Sequence, residues 1–421
     1  MLSASRTSSS TYGAKPADRR QAGAEQSRIH GRRSRSATAR CGRRRELRAL
    51  AAAAEPERSR SDRGAFAVRS SLPGRPPDVR ESRLMRFIRP AQPGDLEALV
   101  ELATLSGPGF TSLPLNEAAL SARLKLSADS FAGHCPPGKA WYTLMLEDAD
   151  SGRVDGVASV RAAIGVERPH FSFRVMTVAQ HSPATQTRFD HRILVLVNEC
   201  GGCTEVGSLF LRPEARSGGA GALLARARYL LIAADPGRFS PMVMAELRGW
   251  IGTDGSSPFW DGVSSKFFRL PFTQADRMVM STDGQFIADL APRHPIYVEL
   301  LAADTAAVIG RCHRDGEAAL AMLEKEGFAR SGLVDVFDGG PTLLCPRDRI
   351  ATVVGARRMR ACIDPDARTG IAHCLSSAAI REFRALRADV ASEGDHLLIK
   401  GEAAELLKIR NGDVLLVRGS A

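Results

Sequence analysis

Leu209-Phe210-Leu211-Arg212-Pro213-Glu214-Ala215-Arg216-Ser217-Gly218-Gly219-Ala220-Gly221 is the stretch that decides the fold. An apolar run ends at Leu211, an Arg-x-x-Gly-x-Gly turn follows, and an alanine- and leucine-rich segment runs from Ala222 to about Ala234. That order reads as strand, glycine turn and helix start. Glycines let the backbone adopt positive φ and approach a ligand closely. The helix N-terminus then offers free N–H groups and a partial positive charge. Together they make a pyrophosphate cradle, with a plain glycine turn as the bland alternative. A Walker loop needs Lys-Ser or Lys-Thr after its last glycine, but Ala222 and Leu223 stand there. A dinucleotide fingerprint needs a third glycine, and Leu224 occupies its place.

Charge divides the chain sharply. Residues 1–84 hold 20 basic against 8 acidic residues, whereas the rest holds 38 against 39. The high pI therefore belongs to the first fifth, and the near-neutral remainder argues against nucleic acid as its partner. Residues 1–84 are rich in Arg, Ser, Ala, Gly and Pro, too poor in apolar groups to offset the entropy of ordering. They read as a disordered extension with translation starting at Met85; a transit peptide and a nucleic-acid-binding tail are the alternatives. No apolar run approaches the length of a membrane span. Eight Cys without a secretory signal indicate a reducing compartment, hence the cytoplasm. Cys200-Gly201-Gly202-Cys203 has no second close pair, so the cysteines read as ordinary thiols and no metal is expected.

The patterned chain begins with a strand at Phe87–Pro90. Helices follow after Gly94-Asp95, with Leu96, Leu99, Val100 and Leu102 on one face, and after Asn116 as N-cap. Trp141–Glu147 and Val154–Val160 read as a hairpin. Then come a strand at Glu205–Leu211, the cradle and its helix, a strand at Met242–Leu247 and a helix over Pro258–Phe268. Strand, two helices, hairpin, strand, cradle, helix, strand, helix is an α/β order. A second α/β segment, 271–345, is expected to be helical at Pro295–Leu301 and Ala318–Glu326 and to end in a strand at Leu333–Phe337. The last segment, 346–421, is expected to be a small β-rich domain. There a strand at His396–Ile399, a helix over Ala403–Ile409 and a strand at Val414–Val417 resemble six-stranded barrels.

The cradle is similar to the acyl-CoA loop of the GNAT acetyltransferase superfamily, with Arg216, Gly219 and Gly221 in register. Beyond it, six stretches resemble the arginine N-succinyltransferase family: Thr111–Glu117, Ala245-Glu246-Leu247-Arg248-Gly249, Ser257-Pro258-Phe259-Trp260, His294–Tyr297, Leu323–Phe328 and Phe337-Asp338-Gly339-Gly340-Pro341-Thr342-Leu343. The resemblance implies a GNAT-like core over 85–270, completed by 271–345. It implies transfer of succinyl from succinyl-CoA to the α-amino group of L-arginine, with no tightly bound cofactor. Some members of the family accept ornithine. A homo-oligomer or paired α and β subunits are implied, with no nucleic acid or membrane partner. The family's succinyl-CoA contact falls on Leu209, and its proton-transfer residue on His313, one of nine histidines. Arg314-Asp315-Gly316 stands where relatives more often have a proline-containing stretch. His294 is the rival histidine and reads as structural.

Acyl transfer from a thioester needs a deprotonated amine, stabilisation of the developing oxyanion and a proton for the leaving thiolate. An arginine acceptor needs a carboxylate for its guanidinium, and Glu246, Asp335 and Asp338 are the candidates. The donor's succinyl carboxylate needs a cation, for which Arg248 and Arg123 are available. The competing classes are an acyltransferase of the same fold with another amine acceptor, and a non-catalytic acyl-CoA-binding subunit.

Overall fold

The computed structural model describes residues 85–419, apart from 108–109, 111, 114, 253–254, 273, 276–277, 279–284 and 368–369. The Arg-rich extension lies outside the described residues. Fifteen strands among them join in one sheet, ordered β12-β15-β11-β14-β13-β1-β2-β3-β6-β7-β10-β9-β4-β5-β8. The first two helices, α1 (Leu96–Ser106) and α2 (Glu117–Phe131), follow β1 (Arg86–Pro90). Asn116 caps α2 as its sequence position predicts, its side chain accepting the Ala119 N–H at 3.0 Å.

β2 (Trp141–Asp148) and β3 (Val154–Arg161) read as nearly unbroken buried runs because both faces of the sheet are covered. Met145 and Val157 pack beneath Leu99, Leu102, Leu120 and Leu124 of α1 and α2. Leu144, Leu146, Ala158 and Val160 turn to the opposite face, against α3 (Ala220–Ala234). α3 is itself buried almost all round, since elements from the C-terminal part cover its outer side.

One joint in the sheet opens. β6 (Thr204–Leu211) and β7 (Met242–Glu246) run parallel but pair only at Thr204–Val243 and Glu205–Met244. Beyond Glu205 they diverge. β7 is held on its other side along its whole length by β10 (Pro341–Pro346). β6 also bulges against β3, where the register slips opposite Ser208, a non-glycine residue at φ +51°.

A second core lies beneath β9 (Ala329–Asp335), β4 (Ser172–Ser182) and β5 (Thr187–Val197). Trp260 is stacked there on Phe268 and Phe337, with ring centroids 5.7 Å apart in each case. The helix expected over Pro258–Phe268 is present, opening as a π-turn over Trp260–Ser264. The helix expected over Pro295–Leu301 is not. Ile296–Tyr297 forms β8 against β5, and a single 3-10 turn follows at Val298–Leu300. A proline and the six residues after it fit one turn or a short strand equally well, and the open edge of β5 takes Ile296–Tyr297 as a strand.

The last strands are β11 (Arg357–Ile363), β12 (Ile371–Ser377), β13 (Ala385–Glu393), β14 (His396–Ile399) and β15 (Val414–Gly419). They close on themselves through a β12–β13 pairing, so the ring has five strands where six were expected. Its interior holds Met359, Leu375, Leu397 and Leu415, with Leu407 from the helix Gly401–Leu407. Among the described residues no helix is long and apolar enough to cross a membrane.

Candidate active site

A cavity of about 530 Å³ fills the gap between the diverging β6 and β7. Its wall carries Leu209, Arg216 and Gly221 from the cradle side, and Glu246, Arg248, His313, Asp335 and Asp338 from the other. Sequence positions more than a hundred residues apart thus meet in one place. Arg123 and His294 are not part of the wall. Arg123 is 7% exposed and donates to the Ser112 carbonyl, while its guanidinium carbon lies 4.2 Å from the Trp141 ring centre. His294 is exposed.

The cradle has the form its sequence predicts. Gly219 is the N-cap of α3 at φ +81°, a region that disfavours any side chain, and no side chain caps the helix. Its first-turn amides are left to an anion. A Cβ on Gly219 would lie 2.9 Å from the Arg387 guanidinium, so β13 of the C-terminal ring brings a cation to the same turn. Gly221 sits against Leu211, 3.3 Å from where its Cβ would be. The Arg216 side chain folds back to the Leu211 carbonyl at 3.3 Å.

The far wall depends on two segments that cross in contact. A Cβ on Gly249 would come within 2.2 Å of the Asp338 carbonyl oxygen, and one on Gly340 within 2.0 Å of the Leu247 oxygen. Only glycines permit this crossing. Asp338 fastens it: Oδ2 accepts the Gly249 N–H at 2.7 Å and Oδ1 the Gly340 N–H at 2.8 Å. Asp335 closes the same turn, its Oδ1 accepting the N–H groups of Phe337 at 2.7 Å and Asp338 at 3.0 Å. The Arg248 carbonyl accepts the His313 N–H at 2.8 Å, and Gly249 bridges Cys312. The extension of β7 therefore sets Glu246, Arg248 and His313 side by side.

Electrostatics sorts these groups. Burial, then the charges of Asp338 and Glu246, holds the Asp335 carboxyl well above the ordinary carboxylate range. Burial also raises Asp338, against the pull of its two backbone N–H donors. Glu246 goes the other way. Burial opposes its ionisation, but His170 Nε2 at 3.1 Å offsets this and keeps the carboxyl below its usual value. His170 is raised in turn to about 9, the charge of Glu246 overcoming burial. His313 is lowered, first by burial and then by the Arg248 charge, so it is neutral at pH 7. Its Nδ1 accepts the Asp315 N–H at 3.2 Å, which assigns the neutral ring's proton to Nε2. The Asp315 carboxylate lies 3.6 Å from the same Nδ1. Among the described residues nothing hydrogen-bonds to the buried Arg248 Nε.

A family model described as "Arginine N-succinyltransferase beta subunit" matches residues 86–352. The arginine N-succinyltransferase of Salmonella paratyphi B is 37% identical over 336 residues, spanning 79% of this chain and 98% of the relative. The chain belongs to the arginine N-succinyltransferase family. The Salmonella typhimurium member is equally similar, at 37% identity over the same lengths. The arginine/ornithine succinyltransferase subunit AI of Pseudomonas aeruginosa superposes with a TM-score of 0.73 at 29% identity, over 80% of this chain and 98% of that one. The mixed α/β architecture is thus shared with a solved arginine succinyltransferase structure. The family resemblance in Ala245–Gly249 and Phe337–Leu343 has a physical basis, since these are the segments that cross behind the cavity.

His170, Glu205, Asp315, Arg228 and Arg387 were missed as site residues. His170 lies in a loop without periodicity, 76 positions from Glu246. Glu205 is the second residue of β6 and lines the cavity. It lies at the opposite end of that strand from the cradle, so its local sequence carried no signal.

Proposed function

We propose that the protein transfers the succinyl group of succinyl-CoA to the α-amino group of L-arginine, giving N2-succinyl-L-arginine and CoA. The observation that carries this reading is the composition of the cavity: an anion cradle on one side, and a histidine beside a carboxylate cluster on the other. The diphosphate is held by the amides at the start of α3, with Arg216 and Arg387 adjacent. The pantetheine arm follows β6 past Leu209, where the Ser208 bulge interrupts pairing with β3. The acceptor's guanidinium enters among Glu246, Asp335 and Asp338. Its positive charge offsets the burial and, with it, the neighbouring carboxylates that raise Asp335. Arg248 takes the acceptor's α-carboxylate.

In the reaction the amine nitrogen bonds to the thioester carbon, the carbon–sulfur bond breaks, and one proton passes from nitrogen to sulfur. His313 is placed to carry it. To accept at Nε2 it takes the Nδ1–H tautomer, for which the Asp315 carboxylate is the acceptor. The resulting imidazolium delivers the proton to the departing thiolate. Assembly as a homo-oligomer or as paired subunits fits the family.

Ornithine is a second acceptor, favoured by one observation: the similar Pseudomonas aeruginosa protein is described as an arginine/ornithine succinyltransferase subunit. Release of CoA thiol from succinyl-CoA, measured against arginine, ornithine, lysine and a polyamine, tests both. Arginine-dependent release well above hydrolysis is expected. Release that ignores the amine supplied would overturn the proposal.

A further inference from the structure

Arg228 lies on α3 seven residues after Gly221, on the same face and about 10.5 Å deeper along the helix. Its side chain lines the cavity, yet the residue is only 3% exposed. Its hydrogen bond runs from Nε to the Ala225 carbonyl of its own helix, at 3.3 Å. Among the described residues no ion pair engages it. Glu326, the acid whose charge it senses, is bound instead to Thr352 at 2.7 and 2.8 Å and lies 3.7 Å from Arg226. The neighbouring Tyr229 ring, 5.5 Å away, offers weak compensation. Ala318, Ala319 and Met322 form the apolar wall on the helix that shares this end of the cavity. A guanidinium buried without a counter-charge costs several kcal/mol. Facing a ligand cavity, that arrangement calls for an anion brought by the ligand.

The donor's phosphates do not meet the need, because the cradle at Gly219 and Gly221 holds them a full two helical turns away. What remains is a carboxylate: the free end of a dicarboxylic acyl group, or the α-carboxylate of the acceptor. Arg248, beside Glu246, already stands in the acceptor's half. We infer that Arg228 receives a substrate carboxylate, and that this is the free carboxylate of the donor's acyl group. Arg228 thereby selects a dicarboxylic acyl-CoA over a neutral one of equal length. The inference rests on the acyl-transfer reading given above.

The test compares the full chain with Arg228→Met and Arg228→Lys. Donors are succinyl-CoA and butyryl-CoA, equal in chain length but differing in the carboxylate. Acceptors are arginine and argininamide. Arg228→Met is expected to lower kcat/KM for succinyl-CoA about 10- to 100-fold, the worth of a lost charge-assisted hydrogen bond. Butyryl-CoA and the arginine-to-argininamide ratio should hardly change, and Arg228→Lys should recover part of the loss. Without substrate, Arg228→Met should melt higher than the parent, because a buried lone charge is gone. Equal losses on both donors, or no loss, would overturn the inference. Collapse of the arginine-to-argininamide ratio instead would overturn the donor assignment and give the carboxylate to the acceptor. A parent protein that transfers neither acyl group would sink the underlying reading, and this inference with it, before any variant is compared.

Discussion

Asp338→Ala is the substitution that most directly tests how the far wall is built. The carboxylate is 7% exposed and accepts two backbone N–H groups, from Gly249 at 2.7 Å and Gly340 at 2.8 Å. Alanine leaves both donors buried without partners, at about 1–3 kcal/mol each. Removing a carboxyl whose ionisation burial already opposes returns part of that, so a net loss of about 2–4 kcal/mol is expected. Asp338→Asn keeps one acceptor and turns an N–H₂ toward the second donor, so its loss should be intermediate. Urea unfolding at pH 7 measures all three proteins, with stability read as the product of slope and midpoint. Because the clamp also fixes Arg248, whose carbonyl holds His313, kcat should fall along with stability. If Asp338→Ala unfolds within about 1 kcal/mol of the parent, less than one unsatisfied buried donor is worth, Asp338 is no clamp. A selective rise in the KM for arginine would then mark it as a substrate ligand alone.

Three further outcomes follow from the same geometry. Gly219→Val places a β-branched residue at φ +81°, against the Arg387 guanidinium, and should raise the KM for succinyl-CoA while leaving that for arginine near the parent value; an unchanged donor KM would move the diphosphate elsewhere. His313→Ala should lower kcat about 10²- to 10⁴-fold with KM values little changed, and the acid limb of the parent's rate profile should lie below the ordinary histidine value near 6.5, since burial and Arg248 lower it; retention of a tenth of kcat, far short of that span, contradicts the role. Asp335 has a raised folded value, so its contribution to stability is present below about pH 3.9 and is lost as pH rises through that folded value; Asp335→Asn, which keeps Oδ1 as an acceptor, should therefore be more stable than the parent at pH 7, and a less stable variant refutes the sign.

Much of the cavity was legible because its parts are local. The cradle is a contiguous strand, turn and helix. Glu246 ends the next strand and Arg248 lies just beyond it, and the family resemblance supplies Asp338 and His313. The β4–β5 hairpin was not legible. Its outer half carries Thr177, Gln180, Arg188 and Asp190 in the open, so no alternating apolar face marks it. The five-stranded ring was only half legible. β11 begins Arg-Arg-Met-Arg, with Met359 as its first inward residue, and its parallel partner β14 lies more than 30 residues on. Arg228 could not be found from sequence at all. It reads as a polar position on an amphipathic helix, and becomes conspicuous only once α3 is covered on every side.

The central claim is the transfer of a succinyl group to the α-nitrogen of arginine, and the product tests it most directly. Succinyl-CoA and L-arginine are incubated with the full chain, and the product is fragmented in a mass spectrometer to locate the acyl group. The account requires one succinyl group, on the α-amino nitrogen, formed in step with released CoA and formed about 10²- to 10⁴-fold more slowly by His313→Ala. Free succinate and unmodified arginine, or acylation at the guanidinium, would contradict it.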